Sequence, residues 1–382
     1  MHRKNMAADS AHRPVSVAVI GGGPAGSAAA VELCRRGHSV VILEHGFYES
    51  RRMGESVPPS ARQIISELGL PLSLFAENSI PCEGIGGSWG SAEIYEKKFI
   101  FNPYGSGWHV DRQRLDLALA RAAETCGAEL LLGAKILSCN ATPEGEWQIA
   151  VETSLGIQRF QASFVIDASG RSSWMARKFG GNRVTYDRQI AIAQLFATGK
   201  QDEETEPITL IEAAENGWWY SAPIPGGKVI FVYLTDADLH RPGREQALSC
   251  WQDLLNRTQH MRHQSAGLSP SGRLHTSMAD TYRVFCDSAR GNWVNAGAAA
   301  AGLDPLCSGG ICFALRSGRD AARAVSEWSR GDRGATRAYC QSLDEYFDQY
   351  LKKHADYYAG EMRWAAAPFW SRRQQFGPIA PS

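Results

Sequence analysis

The sequence predicts an α/β fold, in which a Rossmann-like nucleotide-binding domain is interleaved with a β-sheet domain and followed by C-terminal helices. Three observations predict it. Residues 15–46 read as strand, glycine-rich turn, helix and strand; strand-rich blocks at 128–167 and about 188–236 follow without a low-complexity linker; and from Leu343 onward Phe347, Tyr350, His354, Tyr357 and Trp364 recur at spacings near three, four and seven, the stripe of a helix packed on the body. At 382 residues the chain has length for two or three lobes, and without an internal repeat those lobes interleave.

The first unit reads "VSVAVI", "GGGPAG", "SAAAVELCRRGH" and "SVVILE". Gly21, Gly23 and Gly26 form G-x-G-x-x-G, enclosing Pro24 and Ala25, directly between strand and helix. Gly21 permits the tight turn, Gly23 lets backbone approach a pyrophosphate at the helix N-terminus, and Gly26 lets helix and strand pack closely. Glu44, closing the second strand, is placed to accept hydrogen bonds from ribose hydroxyls and disfavours a 2′-phosphate. Only one such unit exists, because "EGIGGS" at 83–88 lacks a following helix.

A helix is expected at "PPSARQIISELGL", then strands through "EGIGGSWGSAEIYEKKFIFNPYG". The helix "DRQRLDLALARAAETCG" follows, with Asp111 as N-cap and Gly127 as stop. Beyond the two strand blocks, helices are expected at 242–258 and 309–329, with two more in the tail. The boundaries read 1–13 as a disordered N-terminus; 14–57, 107–187 and 276–330 as the nucleotide-binding domain; 58–106 and 188–275 as the second domain; and 331–382 as a helical segment.

Forty Lys+Arg balance forty Asp+Glu, so no global charge points to nucleic acid or an anionic membrane surface. Nine cysteines without a CxxC pair fit reduced thiols, and Cys307 and Cys312 read as small buried residues. The N-terminal "MHRKNMAADSAHRP" has no apolar core of a signal peptide, and no later run reaches the roughly 18 apolar residues of a membrane span. A cytoplasmic enzyme is expected. His260 and His263 lack the company of a metal site, and no metal is expected.

"VIDASGRSS" at 165–173 resembles the second fingerprint of flavoprotein monooxygenases with the p-hydroxybenzoate hydroxylase fold. "WVNAGAAAAGLDPLCSGGICFALRSG" at 293–318 resembles their third. The resemblance implies FAD, with the strand-rich lobe as substrate domain. It places Asp167, Gly297, Ala298, Asp304, Pro305, Gly309, Gly310 and Ile311 at the flavin, where the Asp-Pro loop and following helix aim backbone N–H groups at the ring. Matching Gly297 to the family glycine puts Ala298 where an Asp normally accepts a ribityl hydroxyl. Losing that bond, worth roughly 1.5–3 kcal/mol when charged, implies FAD held about ten- to a hundredfold more weakly.

"RRMGESVPPS", "GWHVDRQRLD", "GWWYSAPIP" and "MRWAAAPFWSRR" look like the halogenase-like branch, which places Arg52 and Arg112 near the flavin or its pyrophosphate. Two features depart from halogenases. Residues 67–85 contain no lysine, and Tyr220 and Ala222 stand where the tryptophans of Trp-x-Trp-x-Ile-Pro would be. The resemblance is nearest to flavoproteins that mature tryptophylquinone enzymes. It implies reduction of FAD by NAD(P)H, addition of O₂ at flavin C4a, and transfer of the distal oxygen of that hydroperoxide to an aromatic ring, such as a tryptophan in a partner polypeptide.

His109 is a candidate base or hydrogen-bond donor, and Trp219 and Tyr220, with Trp218, are candidates to line the substrate pocket. The plainer readings are a structural histidine and core aromatics. The alternative functions are halogenation of tryptophan or a phenol, hydroxylation of a small free aromatic, a geranylgeranyl-type reductase, and a non-catalytic scaffold.

Overall fold

The computed structural model describes residues 12–374 except 78, 200, 201, 203–205, 244 and 286–291. The expected disorder at 1–13 therefore lies almost wholly outside the described residues, and Arg13 already opens the first strand.

The first sheet runs Glu129–Leu131, Val40–Leu43, Arg13–Ile20, Gly156–Asp167, Trp147–Thr153 and Lys135–Ala141 in spatial order. Its central strands pair parallel, and Arg13–Ile20 ends fully buried, as expected for a β-branched strand covered on both faces. Gly156–Asp167 has two partners in succession. Its first half forms an antiparallel hairpin with Trp147–Thr153, and its last residues pair in parallel with Trp293–Asn295. That second pairing, Asp167 opposite Asn295, brings together two motifs far apart in sequence.

The helix Pro24–Arg35 starts three residues earlier than the apolar run suggests, because Pro24 at its first turn has the required φ and no N–H to leave unpaired. Its alanine face packs on the long helix Gly310–Ser329, where a Cβ on Gly318 would overlap the Ala25 carbonyl. Asp111 caps the helix Arg112–Thr125 by accepting from the N–H groups of Gln113 and Arg114.

The second sheet runs Ser269–Met278, Gln189–Ala197, Lys228–Asp236, Gly217–Ile224, Ile208–Ala214, Gly84–Ser88 and Tyr95–Lys98. Every pairing is antiparallel except Gly84–Ser88 with Ile208–Ala214. Ser269–Met278 had no strand signal, because its polar, glycine-containing sequence is that of a mostly exposed edge.

The tail forms the helices Ala335–Ala359 and Pro368–Gln374. Phe347, Tyr350 and His354 are buried as their spacing predicts, but the fourth buried ring is Tyr358. Tyr357, expected in the stripe, is 60% exposed, since a step of four from His354 keeps to the helix face and a step of three drifts off it. Among the described residues, no helix is long and apolar enough to cross a membrane, and no cluster of His, Cys, Asp and Glu suits a metal ion.

Candidate functional site

The glycine turn forms one end of a cavity of about 1240 Å³ that reaches from Gly21 and Glu44 to the wall of Trp218 and Tyr220 in the second sheet. Gly21 has φ +99°, and a Cβ on Gly26 would overlap the Gly21 carbonyl, so both positions require glycine. Gly21, Gly23, Pro24 and Ala25 line the cavity, which leaves backbone and a helix start facing it. Glu44 stands beside them, its Oε2 accepting from Gly22 N–H at 2.7 Å and its Oε1 from Gly46 N–H at 2.8 Å. Tyr48, in the left-handed region at φ +62°, closes the loop by donating to the Gly22 carbonyl at 2.7 Å.

Arg52 and Arg112 converge on one carboxylate. Arg52 donates to Asp116 Oδ2 at 3.0 Å, and Arg112 donates through Nε to Oδ1 and through a terminal nitrogen to Oδ2, both at 3.1 Å. Both arginines line the cavity, Arg52 beside Gly23. Burial alone would lower the pKa of Arg112, but Asp116 outweighs it and holds the guanidinium charged. Asp116 escaped the sequence reading, although its spacing of four from Arg112 on one helix is the signal that would have found it.

Asp167 is corrected from cofactor contact to structural anchor. It is fully buried, and its two carboxylate oxygens accept from the N–H groups of Ser169 at 3.0 Å and Met175 at 2.8 Å, holding the turn into the next helix. Burial raises its pKa, partly countered by those same donors.

The 293–318 stretch supplies a further part of the cavity wall. Gly297, at φ +60°, sits behind it, where a Cβ would come within 2.6 Å of the Ala25 Cβ. Ala298, Asp304, Pro305, Gly310 and Ile311 line the cavity. Gly309 precedes the helix Gly310–Ser329 as its N-cap. The Asp304 carboxylate is buried in a network behind the loop, with Oδ1 accepting from Leu306 N–H at 2.8 Å and Oδ2 from Tyr358 at 2.8 Å, Gln189 at 3.1 Å and His354 at 3.3 Å. Burial would raise its pKa, yet the hydrogen bond and charge of His354, with the Leu306 and Tyr358 donors, hold it below the ordinary value.

Where the second sheet borders the cavity, the strand Gly217–Ile224 alternates as a strand must. Trp218 and Tyr220 line the cavity, while Trp219 points to the other side, fully buried against Tyr233 and Trp251. Trp219 is therefore core and not a pocket residue. His109 is also corrected: it is fully buried behind Thr209, bonded to that hydroxyl at 2.9 Å, and burial pushes its pKa down to about 3, so it stays neutral. The partner of Tyr220 is Glu55, a buried cavity-lining residue that sequence reasoning passed over within its motif.

A sheet with parallel central strands, a glycine turn at one end of a cavity, two arginines beside the turn and aromatic lining from the second sheet define a dinucleotide-binding protein with a second compartment. The chain belongs to the FAD binding domain family, whose model matches residues 14–346. LodB of Marinomonas mediterranea, named as an FAD-dependent oxidoreductase, is 28% identical over 94% of this chain and 97% of its own length. A tryptophan 2-halogenase of Chondromyces crocatus is 26% identical over 94% of this chain and 70% of its own. Among solved structures, the myxobacterial chondrochloren halogenase CndH superposes with a TM-score of 0.86 at 22% identity, covering 94% of this chain and 86% of that one. The peptidyl tryptophan dihydroxylase QhpG gives a TM-score of 0.74 at 21% identity, covering 94% and 79%. These two likenesses establish the fold.

The residues present fit FAD. The turn presents Gly23 with nothing nearer than Arg52 at 3.5 Å from where a Cβ would stand, and Gly310 has open space there, so both ends of the cavity leave backbone accessible. The cavity also exceeds the roughly 300–1,000 Å³ of ordinary ligand pockets, leaving room for a second molecule.

Proposed function

We propose that this chain is an FAD-dependent hydroxylase of an aromatic ring, acting in the cytoplasm on a tryptophan in a partner polypeptide during maturation of a tryptophylquinone cofactor. The observation that carries this reading is the lining of the cavity. Trp218, Tyr220 and Ile211 make one stretch of the lining aromatic and apolar, next to the Asp304–Pro305 loop. Among the described lining residues the single lysine is Lys135, next to Ala134, whose N–H donates to the Glu44 carbonyl at the far end. A lysine beside the aromatic wall, which halogenation would use, is absent from that lining.

In this reading Arg52 and Arg112 face the pyrophosphate, the 304–310 backbone faces the ring, and Trp218 and Tyr220 orient the substrate. Trp218 and Tyr220 are themselves buried, so that end of the lining is dry. FAD, when bound, supplies reductive activation of O₂. Overall, a ring C–H, O₂, NAD(P)H and a proton give a ring C–OH, water and NAD(P)⁺. The dihydroxylase name carried by QhpG supports a peptide-bound tryptophan.

Halogenation is the second reading, favoured by the names of several relatives, including the tryptophan 2-halogenase. Purified protein supplied with FAD, NADH, O₂ and a tryptophan-containing peptide separates the two by mass spectrometry. Gain of one or two oxygen atoms supports hydroxylation. A mass shift that requires chloride or bromide reverses the ranking.

A further inference from the structure

Tyr358 lies behind the cavity wall and bonds to two of the residues that line it. Its hydroxyl accepts the indole N–H of Trp218 at 2.9 Å and donates to Oδ2 of Asp304 at 2.8 Å. Trp218 belongs to the aromatic wall and Asp304 to the ring-side loop, and both line the same cavity. All three residues are about 1% exposed, so water does not compete for these bonds. Chains of buried hydrogen bonds polarise one another: a tyrosine that accepts from an indole becomes the stronger donor to a carboxylate.

The Asp304 end is fixed by the same helix. Its backbone N–H donates to the Tyr350 hydroxyl at 2.7 Å, and His354 reaches its Oδ2 at 3.3 Å. Tyr350, His354 and Tyr358, spaced by four along one buried face of Ala335–Ala359, thus brace the loop from behind. Of the three, Tyr358 also holds Trp218.

We propose that Tyr358 is a positioning residue that couples the two compartments, so that an aromatic molecule seated against Trp218 is felt at the Asp304–Pro305 loop, and a flavin seated on that loop is felt at Trp218. A ligand that tilts the Trp218 indole weakens its bond to Tyr358, and with it the donation to Asp304. This rests on the reading of the cavity as holding flavin at one end and an aromatic at the other. Because coupling is reciprocal, it is measurable from either ligand.

The experiment uses the full chain and free indole as the probe. Equilibrium dialysis measures indole binding to the FAD-loaded protein, and flavin fluorescence measures FAD affinity with and without saturating indole. The expected result is that indole changes FAD affinity about fivefold or more in the unaltered protein, within the usual range of allosteric coupling. The change should fall below about twofold in both Tyr358→Phe and Trp218→Phe. His354→Gln, which touches the same carboxylate but not Trp218, should alter FAD affinity while keeping the indole-dependent ratio. That comparison separates coupling from general loosening of the loop.

Tyr358→Phe with an undiminished ratio overturns the proposal, as does indole that binds without changing FAD affinity. Indole that fails to bind sinks the aromatic compartment itself, and the coupling with it.

Discussion

The Tyr220 hydroxyl donates a 2.9 Å hydrogen bond to Oε2 of Glu55, joining the second sheet to the loop that follows the nucleotide-binding unit. The same oxygen accepts from Gly54 N–H at 3.0 Å, while Oε1 is buried and has no partner among the described residues. Glu55 is thus already under-satisfied. Burial and the Glu55 charge together push the Tyr220 hydroxyl well above its ordinary pKa, which keeps it a donor.

Tyr220→Phe should therefore destabilise the protein by about 1–3 kcal/mol, the cost of stripping a donor from a buried carboxylate. Denaturant unfolding of the two proteins measures it. A double variant with Glu55→Gln should lose less than the sum of the single changes, because the residues share one interaction.

Asp116 and Arg52 should behave unequally. Asp116→Ala leaves Arg112 buried without its carboxylate and should cost about 3–5 kcal/mol. Arg52, more than a third exposed, should cost under about 1 kcal/mol as alanine yet weaken FAD binding, with the loss shrinking as salt rises. Unfolding curves and flavin titrations at two ionic strengths test the pair.

Ala298 lines the cavity and offers no side-chain acceptor. Ala298→Asp should tighten FAD about ten- to a hundredfold and reduce flavin loss during gel filtration. Equal affinities would show that another group already serves. Asn295, three residues before Ala298, is buried and does not line the cavity.

His109 links stability to acid. Its pKa is lowered from 6.5 to about 3 in the folded chain, so below pH 6.5 the unfolded state takes up a proton that the folded state refuses. Stability should fall with decreasing pH by about 1.4 kcal/mol per unit from this residue alone, across the window from about 6.5 down to about 3. His109→Gln should flatten that slope when unfolding is followed from pH 7 to 4.

The nucleotide-binding end was legible because its requirements are local. A strand, three glycines at fixed spacing and the first turn of a helix act within 12 residues, from Val15 to Gly26, and each glycine answers to backbone geometry that any chain must obey. The alternation in "GWWY" likewise implies that Trp218 and Tyr220 share one face and Trp219 takes the other, but no periodicity says which face meets the cavity.

What the sequence determined by itself was the fold class, the cofactor-binding turn and the spacing of the C-terminal aromatic stripe. Only the tertiary structure decided which polar side chains are free to act. Asp167 is consumed by a turn and His109 is sealed behind Thr209, whereas Asp116, Glu55 and Tyr358 gain their partners from elements up to 165 residues away. The physical reason is that a buried polar group is defined by whichever donor or acceptor packing brings within about 3 Å, and packing is not a local property of the chain.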